Sequence, residues 1–169
     1  MQTHALIAQY AHSLRALDAW LERATTHATE KKFDADILAQ ARLAPDQYPL
    51  AKQVQSACDA AKFAAAYLSN QKAPAHPDTE TTIVELRARI ASCIAYLESV
   101  PESAFAGAAE RRVAPPWLRG KWLPGAEYAL RFATPNFYFH VTTAYAILRH
   151  NGVALGKMDF IGPVALRDE

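Results

Sequence analysis

Two histidines lie in the most apolar helical segment of the chain, residues 136–152. His140 is near its start and His150 near its end, and the side chains between them are largely apolar. A helix without a polar face is expected inside a bundle, where its few polar side chains must find partners. Burial keeps a histidine neutral at pH 7, and a neutral imidazole can accept a hydrogen bond, act as a base or bind a metal. We therefore expect a site on this segment.

The spacing of the two histidines excludes one metal ion shared between them. On an ideal helix they differ by about 80° in azimuth and by about three turns in height. A two-histidine metal site on a helix needs a spacing of three or four residues, and the position four before His150 is Ala146. Asn136 shares a face with His140. This pair could hold a ligand by hydrogen bonds or could secure the chain break at Pro135.

Each histidine also has a purely structural interpretation. His140 could be a buried imidazole bonded to a backbone carbonyl or to a Tyr or Thr hydroxyl. As an imidazolium at a helix C-terminus, His150 would interact favourably with the helix dipole. Because perturbed histidines occur at structural as well as catalytic positions, the sequence leaves these alternatives open.

Other chemistry is poorly represented in the chain. It contains no catalytic serine or cysteine motif, phosphate-binding loop or dinucleotide fingerprint. Its two cysteines, Cys58 and Cys93, lack CxxC spacing and are interpreted as small buried thiols. The formal net charge of +1 is too small to steer nucleic acid. With no signal peptide and no apolar run long enough to span a bilayer, we expect a cytoplasmic protein without a membrane partner.

Hydrophobic periodicity predicts the elements that position the site. A first helix is predicted over about residues 3–28, a second from Pro49, and a third after a linker at residues 69–79. Asp78 or Thr79 is the expected cap of the third helix, and His76 in the linker is expected to be exposed. On the second helix, Gln55, Asp59 and Lys62 share a polar stripe; it could line a cavity, but a solvated stripe with a local Asp–Lys pair is favoured.

The segment before the last helix has no helical period. Residues 110–124 contain β-favouring residues and flanking prolines, which indicates a short β-hairpin or an extended flap. Pro135 should start a new helix or kink a continuing one, and Gly152 should end it. The tail from Val153 is expected to be irregular. Three amphipathic helices and a buried fourth, with long first and third connections, predict an all-α four-helix bundle that forms one domain over residues 1–169.

Four stretches of the sequence resemble a known family. They are residues 49–59 (PLAKQVQSACD), 135–145 (PNFYFHVTTAY), 148–153 (LRHNGV) and 156–160 (GKMDF). Together they are similar to domain of unknown function family 1993, within the DinB/YfiT-like superfamily. The resemblance covers essentially the whole chain and implies a DinB-like four-helix bundle and a homodimer.

The resemblance also allows the metal ligands of DinB-like proteins to be compared with the residues at the matching positions of this sequence. DinB-like proteins typically use one histidine on the second helix and an H-x-x-x-H pair on the last. His150-Asn-Gly resembles the second position of that pair, whereas the first falls on Ala146. The second helix has no histidine, and Asp59 and Gln55 are its only candidate ligands. A catalytic zinc site normally needs three protein ligands, so no cofactor is predicted and His150 is a weak candidate for a divalent metal.

Three functions remain open. The first is a small-molecule-binding bundle whose pocket, between the second and last helices, is partly covered by the Trp117–Trp122 flap. The second is an atypical metal-dependent transferase or hydrolase, with His150, His140 and Asp59 as ligands or base. The third is a dimeric interaction protein. We favour the first; its predicted ligand-binding residues are Asn136, His140, Thr143, Tyr145, Asp59 and Gln55.

Overall fold

Four long helices form the protein. A computed structural model describes residues 3–167 and places them in α1 (Thr3–Lys31), α2 (Leu50–Ser69), α3 (Ile83–Ser99) and the last helix. Around the bundle, α1 packs on α3, α3 on α2, and α2 on the last helix, and the last helix in turn packs on α1. Helix α1 presents the predicted stripe to the core, where Tyr10, Leu14, Leu17 and Leu21 are fully buried. The predicted all-α bundle is confirmed.

The second and third helices begin differently from each other. Pro49 precedes the first turn of α2, as predicted. Helix α3 is capped by Thr82, whose hydroxyl accepts from the Glu85 amide while the Glu85 carboxylate accepts from the Thr82 amide. The prediction of Asp78 or Thr79 as the cap is wrong, because this reciprocal capping box lies three residues further on.

A short antiparallel hairpin precedes the last helix, as predicted. Strand β1 (Arg112–Val113) pairs with β2 (Leu123–Pro124), with Val113 opposite Leu123. The prolines of this segment are compatible with the hairpin because each strand has only two residues and both strands are edge strands. A 3-10 turn between the strands, Pro116–Leu118, brings Trp117 over the bundle.

The last helix continues through Pro135. It consists of α4 (Gly125–Glu127), a π-helical stretch (Tyr128–Ala133) and α5 (Thr134–His150). The Thr134 amide and hydroxyl both donate to the Ala129 carbonyl, and the hydroxyl also lies 2.7 Å from the Tyr10 hydroxyl. A wider turn ahead of a proline accommodates a residue that cannot donate a helical hydrogen bond.

The tail is more regular than expected, since it contains one further, short helix, α6 (Lys157–Ile161). Phe160 stacks on Trp20, and the Trp20 indole donates to the Asp159 carbonyl at 2.9 Å. As predicted, Cys58 and Cys93 are free, buried thiols. Within residues 3–167, no helix has both the length and the apolar character that crossing a bilayer requires.

Candidate functional site

A cavity of about 570 Å³ lies between α2 and the last helix. The 3-10 turn of the hairpin segment contributes Pro116 and Trp117 to its wall. Its lining divides into an aromatic part and a polar part. The aromatic residues are Phe63, Tyr67, Trp117, Tyr128 and Phe132, and the polar residues are Ser56, Asp59, Asn136 and His140.

The aromatic rings form one continuous wall. Phe63 stacks on Tyr67 with ring centroids 6.0 Å apart, and Tyr67 meets Tyr128 edge to face at 5.8 Å. Tyr128 stacks on Phe132 at 5.9 Å, and Phe132 stacks on Trp117 at 4.4 Å. Spacings of four residues on α2 and in the π-helical stretch place each pair on one helix face. The wall thus joins α2, the last helix and the hairpin segment.

His140 belongs to the polar part and is 9% exposed. Its Nδ1 lies 2.8 Å from Oε1 of the buried Gln53, whose amide nitrogen donates to the Tyr48 carbonyl. Burial lowers the pKa of His140, and the positive charge of Lys52 lowers it further. The imidazole is therefore neutral at neutral pH.

Asp59 connects the cavity to a group of cations behind it. Its Oδ1 accepts from Nη2 of Arg89 at 2.6 Å and from Nζ of Lys62 at 2.8 Å. Both cations are buried, whereas the carboxylate is partly exposed. Two fixed donors on one oxygen hold the carboxylate in position at the cavity wall.

Arg89 is the centre of a larger ion network. Besides Asp59, its guanidinium forms an ion pair with Asp78 at 3.0 Å and donates to Glu80 at 3.0 Å and to the Pro77 carbonyl at 3.3 Å. Lys52 also pairs with Asp78. These ion pairs hold the linker at residues 70–82 against α2 and α3, on the side of Asp59 that faces away from the cavity.

The polar stripe of α2 lies under this linker. Gln55 and Lys62 are buried, so the prediction that the stripe faces water is wrong for both; the predicted Asp59–Lys62 pair is present. Gln55 donates to the Glu80 carboxylate at 3.0 Å. His76 is only partly exposed, with Nδ1 3.3 Å from Lys62 Nζ and Nε2 2.9 Å from the Ser92 hydroxyl.

The predicted ligand-binding residues fall into two groups. Asn136, His140 and Asp59 line the cavity, while Gln55 lies behind it in the ion network. Thr143 and Tyr145 lie outside the cavity lining. The Thr143 hydroxyl donates to the Phe139 carbonyl of its own helix, and the Tyr145 ring packs against Trp20 at 5.4 Å.

Most of the aromatic wall was not predicted from the sequence. Trp117 was included through the predicted flap, but Phe63, Tyr67, Tyr128 and Phe132 were not. The signal available was the spacing of four residues within each of the two pairs. Such pairs occur on many helices, so the spacing alone does not distinguish a cavity wall from a core face.

The side chains do not fit the metal site of DinB-like bundles. In the part of the chain from residue 3 to residue 167, no three His, Cys, Asp or Glu side chains are grouped to hold a metal ion. His150 is exposed at the end of α5, outside the cavity lining, and Asp59 Oδ1 is already bonded to two cations. A three-ligand site therefore cannot be assembled from His140, His150 and Asp59 as they are placed.

Comparisons with known proteins agree with this fold. Residues 3–161 match the family described as "Domain of unknown function (DUF1993)". The crystal structure of a DinB family member protein from Shewanella denitrificans is 47% identical, with a TM-score of 0.94. The similarity covers 98% of this chain and 95% of that one. No curated protein matches the sequence significantly.

Proposed function

We propose that this chain, which belongs to the DUF1993 family and has the DinB-like fold, binds a small, largely apolar molecule between α2 and the last helix. The cavity supports this proposal. Its volume of about 570 Å³ lies within the range of small-molecule sites. One aromatic wall and a few polar groups are the lining that such sites commonly use.

The polar side would orient the ligand. His140 is fixed by Gln53, and Asp59 is fixed by Arg89 and Lys62. Neither group must reorganise before a ligand arrives, which lowers the entropic cost of binding. The aromatic wall would supply most of the binding free energy by burying apolar surface.

Two tryptophans provide a matched test. Trp117 and Trp122 are each 51% exposed, but only Trp117 lines the cavity. The probe is Prodan, an uncharged naphthalene dye whose emission shifts to the blue in an apolar site. We expect wild-type protein to bind the dye, Trp117→Ala to weaken binding about tenfold or more, and Trp122→Ala to leave it unchanged.

Two results would contradict the proposal. One is the absence of saturable dye binding to folded wild-type protein. The other is an equal loss of binding in both tryptophan variants, which would place the dye elsewhere on the surface. Circular dichroism of each variant checks that the helices are retained.

The absence of a resident metal stays a prediction. Metal analysis of protein purified without chelators tests it, with His150→Ala as the comparison. Stoichiometric zinc or nickel that is lost in the folded variant would instead favour the metal-dependent transferase or hydrolase.

A homodimer and a cytoplasmic location complete the proposal. The resemblance to DinB-like bundles supports the dimer, and Met158, Val164 and Leu166 are exposed apolar side chains near the outer face of α1 that a second copy would cover. Light scattering coupled to size-exclusion chromatography measures the oligomeric state. Two free cysteines are compatible with a reducing compartment.

A further inference from the structure

We infer that the cavity selects uncharged aromatic molecules that carry an N–H or O–H group, which donates to Nε2 of His140. This inference rests on the proposed function and names its ligand class. It follows from three features: the orientation of Gln53, the charges around Asp59, and the shape of the apolar wall.

The orientation of Gln53 determines the tautomer of His140. Gln53 is fully buried, and its amide nitrogen lies 3.2 Å from the Tyr48 carbonyl oxygen. The opposite orientation would place two oxygens against each other, so the nitrogen must face Tyr48. Oε1 then faces Nδ1 of His140 at 2.8 Å. Since Oε1 can only accept, Nδ1 carries the proton.

The second ring nitrogen is consequently an acceptor. In the neutral imidazole with a proton on Nδ1, Nε2 has a free lone pair. Nε2 makes no hydrogen bond to any residue between 3 and 167, and the ring contributes to the cavity wall. Nε2 is not among the fully buried unpaired side-chain atoms of the described residues, so it is accessible to a ligand. A ligand that covers Nε2 must either donate to it or leave it unpaired, and the second outcome costs binding free energy.

The charges near the cavity disfavour ions of either sign. A carboxylate ligand would meet the Asp59 carboxylate and the lone pair of His140. A cation would find the one charged group of the lining, the Asp59 carboxylate, already paired with Lys62 and Arg89. It would lose its hydration without gaining an unpaired counter-ion. An uncharged molecule avoids both costs.

The aromatic wall specifies the remainder of the ligand. Phe63, Tyr67, Tyr128, Phe132 and Trp117 form a surface that a flat ring can contact by stacking or by its edge. The donor group would then be fixed to a rigid ring. A rigid ligand loses little conformational entropy when its donor reaches Nε2.

The test compares 1-naphthol with 1-fluoronaphthalene as competitors of Prodan. The two rings have nearly the same size, but only the hydroxyl can donate. For wild-type protein at neutral pH, we expect 1-naphthol to bind about tenfold more tightly, which is the difference that one well-placed hydrogen bond can supply. His140→Ala should abolish the preference, whereas Ser56→Ala, also in the lining, should retain it.

Nitrogen NMR of the wild-type chain provides a readout that does not depend on the stability of a variant. The Nε2 resonance of His140 should be that of an unprotonated nitrogen and should move toward lower frequency with 1-naphthol but not with 1-fluoronaphthalene. Equal affinity for the two rings, or an Nε2 that carries a proton in the free protein, would overturn the inference while leaving the cavity as a binding site. Failure of both rings and of Prodan to bind would instead refute the proposed function.

Discussion

Replacing Arg89 with methionine tests how far the ion network behind the cavity stabilises the fold. The Arg89 side chain is 1% exposed and forms ion pairs with Asp59, Asp78 and Glu80, with N–O distances of 2.6 to 3.0 Å. Methionine keeps an apolar stem of similar length but removes the charge and every donor. The variant therefore leaves three carboxylates without their shared partner.

The expected loss is about 3 kcal/mol of unfolding free energy. Removing one partner from a buried ion pair costs about 3–5 kcal/mol. Two features favour the lower end of that range. The carboxylates remain 14 to 36% exposed, so water can solvate them in the variant. In addition, the buried Nε of Arg89 has no hydrogen-bond partner among the described residues, and its removal relieves a cost.

Urea unfolding followed by circular dichroism measures the loss, and Arg87→Met is the matched control. Arg87 lies on the same helix and makes two hydrogen bonds to Asp18, at 2.8 and 3.1 Å. Its side chain is 35% exposed, so its pair should contribute at most about 1 kcal/mol.

Equal losses in the two arginine variants would refute the reasoning, because burial would then not distinguish them. So would an Arg89→Met protein as stable as the wild type. That result would mean that desolvation of the network offsets its attraction, as happens in some buried ion clusters.

The structure also supports four shorter predictions. Burial raises the pKa of Asp78, but Lys52 and Arg89 lower it more, so that it lies below its ordinary value of 3.8. The free energy of unfolding should therefore fall as the pH drops below about 4, and it should fall less steeply in Asp78→Asn. Urea midpoints measured against pH test this prediction. Because the pKa of His140 is below 6.5, 1-naphthol affinity should persist at pH 6.5 and decrease only at lower pH, in dye-competition titrations. Gln53→Glu should raise the pKa of His140, place a proton on Nε2 and remove the preference for 1-naphthol, as followed by nitrogen NMR. Gly125→Ala should cost about 1–3 kcal/mol in urea unfolding, since its Cβ would clash with the Ala108 carbonyl oxygen.

The helices could be predicted from the sequence because their signals are local. The stripe of α1, the proline before α2 and the prolines around the hairpin each act within a few residues of where they occur. The predicted end of α1 at about residue 28 is three residues short of Lys31, because no local signal marks that boundary.

The surroundings of the polar stripe could not be predicted in the same way. Gln55 and Lys62 have the periodicity of a solvated face, yet the linker at residues 70–82 covers them. That linker has no period, and what holds it down is a set of ion pairs to Arg89 from Asp78 and Glu80. Contacts between segments far apart in sequence decide this burial.

Candidate residues on the last helix were partly predictable. Asn136 and His140 are polar side chains on an apolar helix, and this contrast selects them. Thr143 shows the same contrast but satisfies its hydroxyl within the helix, on the Phe139 carbonyl. Residue type alone cannot distinguish these two outcomes.

The π-helical stretch from Tyr128 to Ala133 sets the rotational phase of everything that follows it. Each residue of an α-helix turns the chain by about 100°. Deleting a single residue from this stretch would convert it to an ordinary turn and swing Asn136 and His140 around the helix axis, away from the rings of Tyr128 and Phe132. One additional residue thus aligns the polar and aromatic halves of the cavity, and the length of this turn, more than its composition, determines whether the two halves meet.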